Sequence, residues 1–337
     1  MNSSRHRALG VTVEVEAFRL KEPFRITGNT MHQTDVLTVT LERDGCIGRG
    51  EAAGVYYRPS EDVASNAKQV ETIRTVLESD IHRGRLQPLL APGGARNAVD
   101  CALWDLEAKL TGRPAWQIAG LERPRPLQTT FTVSAKTPEE MAAGARHYRD
   151  AKAIKLKLTG EPQDADRVSA VRDARPDVWL GVDANQGFTR PFLETLIPVL
   201  VAANVALIEQ PYPVGQESLL DGFASPIPIA ADESAQCFAD LASLVGRFHT
   251  VNIKLDKCGG LTEGLAMARE AARLGLEVMV GNMLGTSLAM APSFLLGQLC
   301  SVVDLDGPIF LAEDRTPAVC YRDGMIECPE ALWGAPT

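Results

Sequence analysis

The stretch AIKLKLTGEPQDADRVSAVRDARPDVWLGVD, residues 153–183, decides the fold. Its two ends, 153–158 and 179–183, are short apolar runs of strand length, and residues 165–174 between them carry helical spacing. One such strand–helix–strand unit predicts a parallel pair joined by a crossover helix. Working outward, further strands are expected at 129–133, 206–209, 229–232, 251–255, 277–280 and 302–305, with helices at 192–203 and 262–274. Eight strands alternating with helices predict an α/β fold of the TIM (β/α)-barrel type. An open doubly wound sheet is the alternative, but no strand is followed by GxGxxG or GxxxxGK[ST].

The front of the chain follows a different pattern. Residues 11–18 and 35–42 alternate apolar and polar positions, and Gly45 sits in a turn before 47–50, which predicts an antiparallel meander. Helical spacing follows over 64–77 and 95–110, where Val99, Leu103, Leu106 and Leu110 form one stripe. Gly112 and Pro114 stop that helix. The first 125 residues therefore read as a small α+β domain, with 122–126 as a charged, proline-containing seam.

The chain has 337 residues, 34 of them Lys or Arg against 43 Asp or Glu, for a net charge of −9. With 45% apolar and 23% charged residues it has the composition of a folded globular protein. An acidic balance without a basic face argues against nucleic acid as a partner. The start lacks the charged-then-apolar layout of a secretion signal. The least polar long stretch, 279–297, is broken by Asn282, Thr286, Ser287 and Pro292, so a buried strand and helix are expected there and no membrane span. Seven cysteines without a CxxC pair predict reduced thiols and a cytoplasmic location.

Barrel enzymes carry their chemistry at the C-terminal ends of the strands. Here Lys157, Asp183, Glu209, Asp232, Lys254, Asn282 and Asp304 stand at those ends, spaced by 26, 26, 23, 22, 28 and 22 residues. One βα unit per step brings them all to one rim. Three carboxylates on adjacent strands repel each other unless a cation neutralises them. Oxygen ligands without His or Cys point to Mg²⁺ at Asp183, Glu209 and Asp232. Each acid capping the helix after its own strand is the simpler alternative for any one of them.

Lys155 and Lys157, two apart in a strand, face the same side. Each is expected to depress the other's pKa, one route to a neutral lysine base. Lys254 lies four strands further round and so across the barrel. A metal between two opposed bases can stabilise the enediolate left when an α-proton departs, and lets the proton return from the other face. That arrangement suits racemisation or epimerisation.

At these residues the chain resembles the enolase superfamily, and within it the muconate-lactonizing-enzyme subgroup. The likeness runs through Ala95-Arg96-Asn97-Ala98-Val99-Asp100, Ala102-Leu103-Trp104-Asp105-Leu106, the Lys155/Lys157 pair, Asp183-Ala184-Asn185-Gln186, Glu209-Gln210-Pro211, Ala231-Asp232-Glu233-Ser234 and Lys254-Leu255-Asp256-Lys257 with Gly259-Gly260. The resemblance implies a modified TIM barrel with an N-terminal α+β capping domain, divided as 1–125, 126–312 and a segment 313–337 returning to the cap. It implies Mg²⁺ on Asp183, Glu209 and Asp232, Lys157 and Lys254 as the acid/base pair, and Lys155 on the substrate carboxylate. The five histidines fall in none of the strand-end motifs, which disfavours the branch that uses a histidine base.

Asp304-Leu305-Asp306 resembles the Asp-x-Asp motif of dipeptide epimerases such as the L-Ala-D/L-Glu epimerases. Carboxylates at i and i+2 suit a free α-ammonium group opposite the metal. The expected reaction is inversion of the α-carbon of a dipeptide's C-terminal residue, with Thr132, Asn282, Arg25 and Tyr56 completing the substrate-binding set and a homo-oligomer as the assembly. Alternatives on the same scaffold are o-succinylbenzoate synthase, N-acylamino-acid racemase and muconate cycloisomerase; another class is a non-catalytic metal-binding barrel. The capping loops 24–31 and 54–59 set specificity. Gly28 or Asn29 stands where an arginine meets the glutamate carboxylate in Ala-Glu epimerases, so uncharged dipeptides are expected to outperform L-Ala-L-Glu. Arg25 or Arg58 is the candidate replacement, and Tyr56 and Tyr57 are expected to line an apolar pocket.

Overall fold

Alternating residues at the front build a three-stranded antiparallel sheet, β1 (Gly10–Ile26), β2 (Asn29–Arg43) and β3 (Cys46–Ala53), in the order β1-β2-β3. The structure is a computed structural model that describes residues 8–26, 29–79 and 81–336, without the side chains of Arg25, Ile26, Asn29 and Pro59. Asp44 and Gly45, at φ of 51° and 82°, make the two-residue turn between β2 and β3 whose twist matches the flanking strands. Leu37, Val39 and Leu41 face the helix Gly94–Thr111 in one buried cluster. That helix approaches β3 so closely that a Cβ on Gly48 or Gly50 would overlap the carbonyls of Ala102 and Ala98.

Two expectations for the cap are corrected. Residues 64–77 form two helices, Val63–Thr72 and Arg74–Leu77, because the chain turns at Ile73, which brings both Ile73 and Leu77 into the cap core. Leu110 is exposed, while Arg96, Asn97, Asp100 and Asp105 are buried together with Val99, Leu103 and Leu106. The helix is buried on several sides because it lies between the cap sheet and the barrel, so one apolar stripe describes it poorly.

A two-residue strand, β4 (Leu127–Gln128), leads into the barrel. Its strands are β5 (Thr130–Val133), β6 (Ala153–Lys157), β7 (Trp179–Asp183), β8 (Val205–Glu209), β9 (Ile229–Ala231), β10 (Thr250–Ile253), β11 (Glu277–Val280) and β12 (Val302–Val303). They pair in parallel in sequence order, as a modified TIM barrel requires. Between β12 and β5 the described ladder stops. Side chains bridge that seam: Thr130 Oγ1 donates to Asp304 Oδ1 (2.5 Å), the Thr132 amide to Asp306 Oδ2 (2.7 Å) and the Leu305 amide to Thr129 Oγ1 (3.0 Å).

The stretch 279–297 is the end of β11 and the wholly buried helix Ser287–Gly297. No described helix is long and apolar enough to cross a membrane. The last residues form a hairpin, β13 (Cys320–Arg322) and β14 (Met325–Glu327), which adds to β4. Beyond it, Trp333 Nε1 donates to the carbonyls of Arg49 (3.0 Å) and Cys101 (3.1 Å). All seven cysteines are free thiols.

Candidate active site

Asp183 and Glu209 are the last residues of β7 and β8 and lie side by side in register, and Asp232 follows β9 directly. All three carboxylates are buried, with ligand-capable oxygens within 4.8 Å of one another. Their supports come from the barrel: the Asn185 amide donates to Asp183 (2.9 Å) and Asn252 Nδ2 to Glu209 (2.9 Å), while the Asp232 amide donates to Gln210 Oε1 (2.9 Å). Burial opposes ionisation of Asp183, but Lys155 and Lys157 outweigh it and hold the carboxyl at about 2. Burial, then repulsion by Asp183, pushes Glu209 up to about 7. Protonating one member of the cluster is the alternative to a cation, so an oxygen-only, buried triad fits a hard divalent metal.

The lysine expectation is corrected in part. Lys155 Nζ meets carboxylates on three sides, Glu209 at 2.8 Å, Asp304 at 2.9 Å and Asp183 at 3.1 Å. Burial opposes its charge, yet Asp183, Asp304 and Glu209 hold it well above the usual lysine range. Lys155 is therefore an ammonium clamp, and its nearest charges are acids, with Lys157 no rival. Lys157 Nζ donates to Asp183 (2.6 Å), and Lys254 Nζ, across the barrel, donates to Asp232 (2.6 Å).

A cavity of about 90 Å³ lies between these groups and the cap, lined by Thr132, Lys155, Lys157, Asn185, Lys254, Asn282, Asp304 and Asp306 from the barrel. Phe24, Met31, Thr34 and Tyr56 cover it from the cap. A larger cavity of about 440 Å³ lies beside Trp116, Phe294, Cys320 and Trp333 and holds none of the strand-end residues. The strand-end lysines and aspartates converge on the smaller one.

The two motif aspartates differ in what they do. Asp304 is committed to Lys155 and Thr130, and its carbonyl takes Asn282 Nδ2 (2.6 Å). Asp306 gives Oδ2 to the seam and reaches the cavity; burial, then Asp304, pushes its carboxyl up to about 6. Arg58 is turned away, bonded to Glu61 (2.7 Å) and Gln236, and Tyr57 meets Gln236 Nε2 (3.3 Å), so of the two tyrosines only Tyr56 lines the cavity. The Arg25 side chain and residues 27 and 28 lie outside the described residues.

Two groups escaped the sequence analysis. Lys257 is fully buried and donates to Asp232 Oδ1 (2.5 Å) and to the Asn252 carbonyl (3.0 Å). Asn252 points inward from β10 onto Glu209. The signal for Lys257 was its place three residues after Lys254, one helical turn back toward the same centre.

Residues 8–120 match the mandelate racemase / muconate lactonizing enzyme N-terminal domain, and residues 140–332 match the enolase C-terminal domain-like family. The chain is 40% identical over 318 residues to the L-Ala-D/L-Glu epimerase of Escherichia coli (strain K12), covering 94% of this chain and 98% of that one. It is 39% identical over 282 residues to an N-acetyl-D-glutamate racemase of Pseudoalteromonas sp, covering 83% and 89%. An enolase family member from Agrobacterium tumefaciens with homology to dipeptide epimerases, solved with bound sodium and L-Ala-L-Glu, superposes with a TM-score of 0.93 at 39% identity, covering 97% of this chain and 100% of that one. A dipeptide epimerase from Methylococcus capsulatus complexed with Mg and L-Arg-D-Lys gives 0.87 at 28% identity, covering 97% and 99%.

Proposed function

Since the chain belongs to the mandelate racemase / muconate lactonizing enzyme family of the enolase superfamily, we propose that it is a Mg²⁺-dependent dipeptide epimerase interconverting L-Ala-L-Glu and L-Ala-D-Glu. The observation that carries this reading is the placement of Lys157 at the end of β6 and Lys254 just past β10, four strands on, on either side of a buried carboxylate triad.

Asp183, Glu209 and Asp232 would hold Mg²⁺, which would supply positive charge to stabilise the carboxylate of the deprotonated substrate. Lys155 lies beside the same triad and adds a fixed positive charge for that carboxylate. One of Lys157 and Lys254 takes the α-proton, and the other, protonated, returns one to the opposite face. Asp306 receives the free α-ammonium group at the far end. The cap residues Phe24, Met31 and Tyr56 keep water from the reacting carbon.

In D₂O, L-Ala-L-Glu is expected to acquire deuterium at the glutamate α-carbon with inversion, read by NMR, and Lys157→Ala or Lys254→Ala should each lower inversion by about 10²–10⁴-fold. Absence of exchange in the parent enzyme, or inversion intact in both variants, rejects the assignment. The second reading is racemisation of an N-acylated glutamate, favoured by the likeness to the N-acetyl-D-glutamate racemase. Racemisation of N-acetyl-glutamate faster than epimerisation of L-Ala-L-Glu would establish it. Glutamate in both relatives, and in the dipeptide bound to the Agrobacterium protein, supports a charged side chain over the uncharged preference expected from residues 28 and 29.

We also propose that residues 1–125 act as the capping unit, 126–312 as the catalytic barrel and 313–337 as a strap back to the cap. A cytoplasmic homo-oligomer without a nucleic-acid partner completes the reading, supported by the free thiols and the charge of −9.

A further inference from the structure

The two lysines are held by different parts of the molecule, and we infer that the cap positions Lys254 while leaving Lys157 to the barrel, with Asp256 as the positioning residue that transmits this control. The inference rests on the epimerase reading above.

Lys157 lies within β6, paired in the ladder with Asp183. The hydrogen bonds of Lys155, Lys157, Thr159 and Gly160 all end on barrel residues, namely Asp304, Asp183, Glu161 and Asp164. Lys254 instead stands one residue past β10, just ahead of the one-turn helix Leu255–Cys258. The next ladder-like contact behind it is the Gly281 amide on the Ile253 carbonyl (3.0 Å).

Lys254 and Lys257 donate to Asp232 of the barrel, and from there to Thr262 the chain is gripped by the cap as well. Asp256 Oδ1 accepts both the Ala53 amide (2.9 Å) and Asn97 Nδ2 (3.1 Å). Arg96 donates to the carbonyls of Cys258 (2.6 Å) and Gly259 (3.2 Å). Asp100 accepts the Thr262 amide (2.9 Å), and Trp104 Nε1 donates to Thr262 Oγ1 (2.9 Å). Gly259 and Gly260 sit at φ of 84° and 114°, and a Cβ on either would overlap Arg96 or Asp100, so the close approach of the cap helix requires glycine there.

Asp256 is the closest of these anchors to the lysine, two residues on. Its partner Ala53 ends β3, and Ala53, Gly54 and Tyr56 line the cavity. One carboxylate oxygen thus ties the covering loop to the segment carrying Lys254. Proton transfer is sensitive to such placement, since a shift of about 1 Å can cost about 10²-fold in rate.

The consequence is stereochemical. For the diastereomer whose α-C–H faces Lys157, that amine takes the proton, the electron pair stays on the substrate, and Lys254 returns a proton from the other side. With Lys254 displaced, the carbanion recovers a proton from Lys157 more often, so exchange with retention gains on inversion. For the other diastereomer Lys254 removes the proton slowly, but Lys157 still delivers from the far side, so inversion gains on retention.

The test follows both dipeptides, L-Ala-L-Glu and L-Ala-D-Glu, in D₂O with Mg²⁺, counting deuterium in retained and inverted product by NMR. Asp256→Ala, which removes the acceptor of both cap donors, is expected to raise the retention-to-inversion ratio about tenfold for one diastereomer and lower it for the other. The sense should match Lys254→Ala and oppose Lys157→Ala. Asn97→Ala, which removes only one of the two donors, should shift both ratios the same way by less and supplies the test where Asp256→Ala does not fold. Unchanged ratios with both rates reduced equally would overturn the inference, because Asp256 would then only support the fold. Absence of exchange in the parent enzyme would reject the epimerase reading itself, and this inference with it.

Discussion

The rim of the barrel and the cap that covers it meet at one cavity but are built by different rules. On the rim, backbone register does the placing: Asp183 stands opposite Glu209 because β7 and β8 pair there, and Lys157 opposite Asp183 because β6 and β7 pair there. The cap offers Phe24, Met31, Thr34 and Tyr56, which reach the cavity through loops and the ends of strands. The rim is charged and its charges are paired. The described cap lining is apolar apart from the hydroxyls of Thr34 and Tyr56. The difference suits two tasks, with the charged groups of the chemistry at the rim and an apolar cover from the cap, joined through the cap's hold on the segment after Lys254.

The largest effect is expected where the rim charges are most crowded. Glu209→Gln removes one metal oxygen and sets an amide where Lys155 now has a carboxylate at 2.8 Å. A ligand that binds only the folded state stabilises it by about 2.7 kcal/mol at 100 times its Kd. Mg²⁺ should therefore raise the Tm of the parent protein and leave the Glu209→Gln variant unmoved, with turnover lost. Equal Mg²⁺-induced shifts in both proteins would place the cation elsewhere and break the division drawn here.

How much of this was legible in the sequence follows the same line. Strand length and apolar runs marked every barrel strand, and the rim residues came with them, because a residue at a strand end has its position set by local backbone. The cap helix was harder to read. Arg96, Asn97, Asp100 and Trp104 make their bonds to residues about 160 positions away, and no local periodicity encodes such partners. The structural partner of Asp304 was hidden for the same reason: its bond from Thr130 exists only once β5 and β12 come together at the barrel seam. The expected lowering of Lys155 failed because spacing along one strand ignores the acids on the neighbouring strands, Asp183, Glu209 and Asp304, which hold its charge.

A smaller effect is expected at Asp306, where rim and substrate amine meet. Asp306→Asn keeps an oxygen for the Thr132 amide, so the seam between β12 and β5 survives while the charge is lost. A hydrogen bond to a charged group contributes about 1.5–3 kcal/mol. The kcat/KM for L-Ala-L-Glu should fall about 10–100-fold, and that for N-acetyl-glutamate should change far less. Equal losses on both substrates would mean that Asp306 acts through the barrel seam and has no part in binding the amine.

The smallest effect is expected at the cap, and it decides the side chain. Apart from the rim lysines, the described lining offers no cation for a glutamate side chain, since Phe24, Met31, Met283, Leu284 and Phe310 are apolar and Arg58 is bonded to Glu61 and Gln236. A carboxylate buried without a partner is strongly disfavoured. Arg25, just after Phe24 in the sequence, is the candidate partner. Arg25→Gln should then lower kcat/KM for L-Ala-L-Glu about tenfold, about 1.4 kcal/mol in transition-state binding, while L-Ala-L-Leu holds or improves. An unchanged ratio between the two dipeptides would show that Arg25 does not read the side chain, and a parent enzyme already preferring L-Ala-L-Leu would restore the uncharged preference that Gly28 and Asn29 suggest.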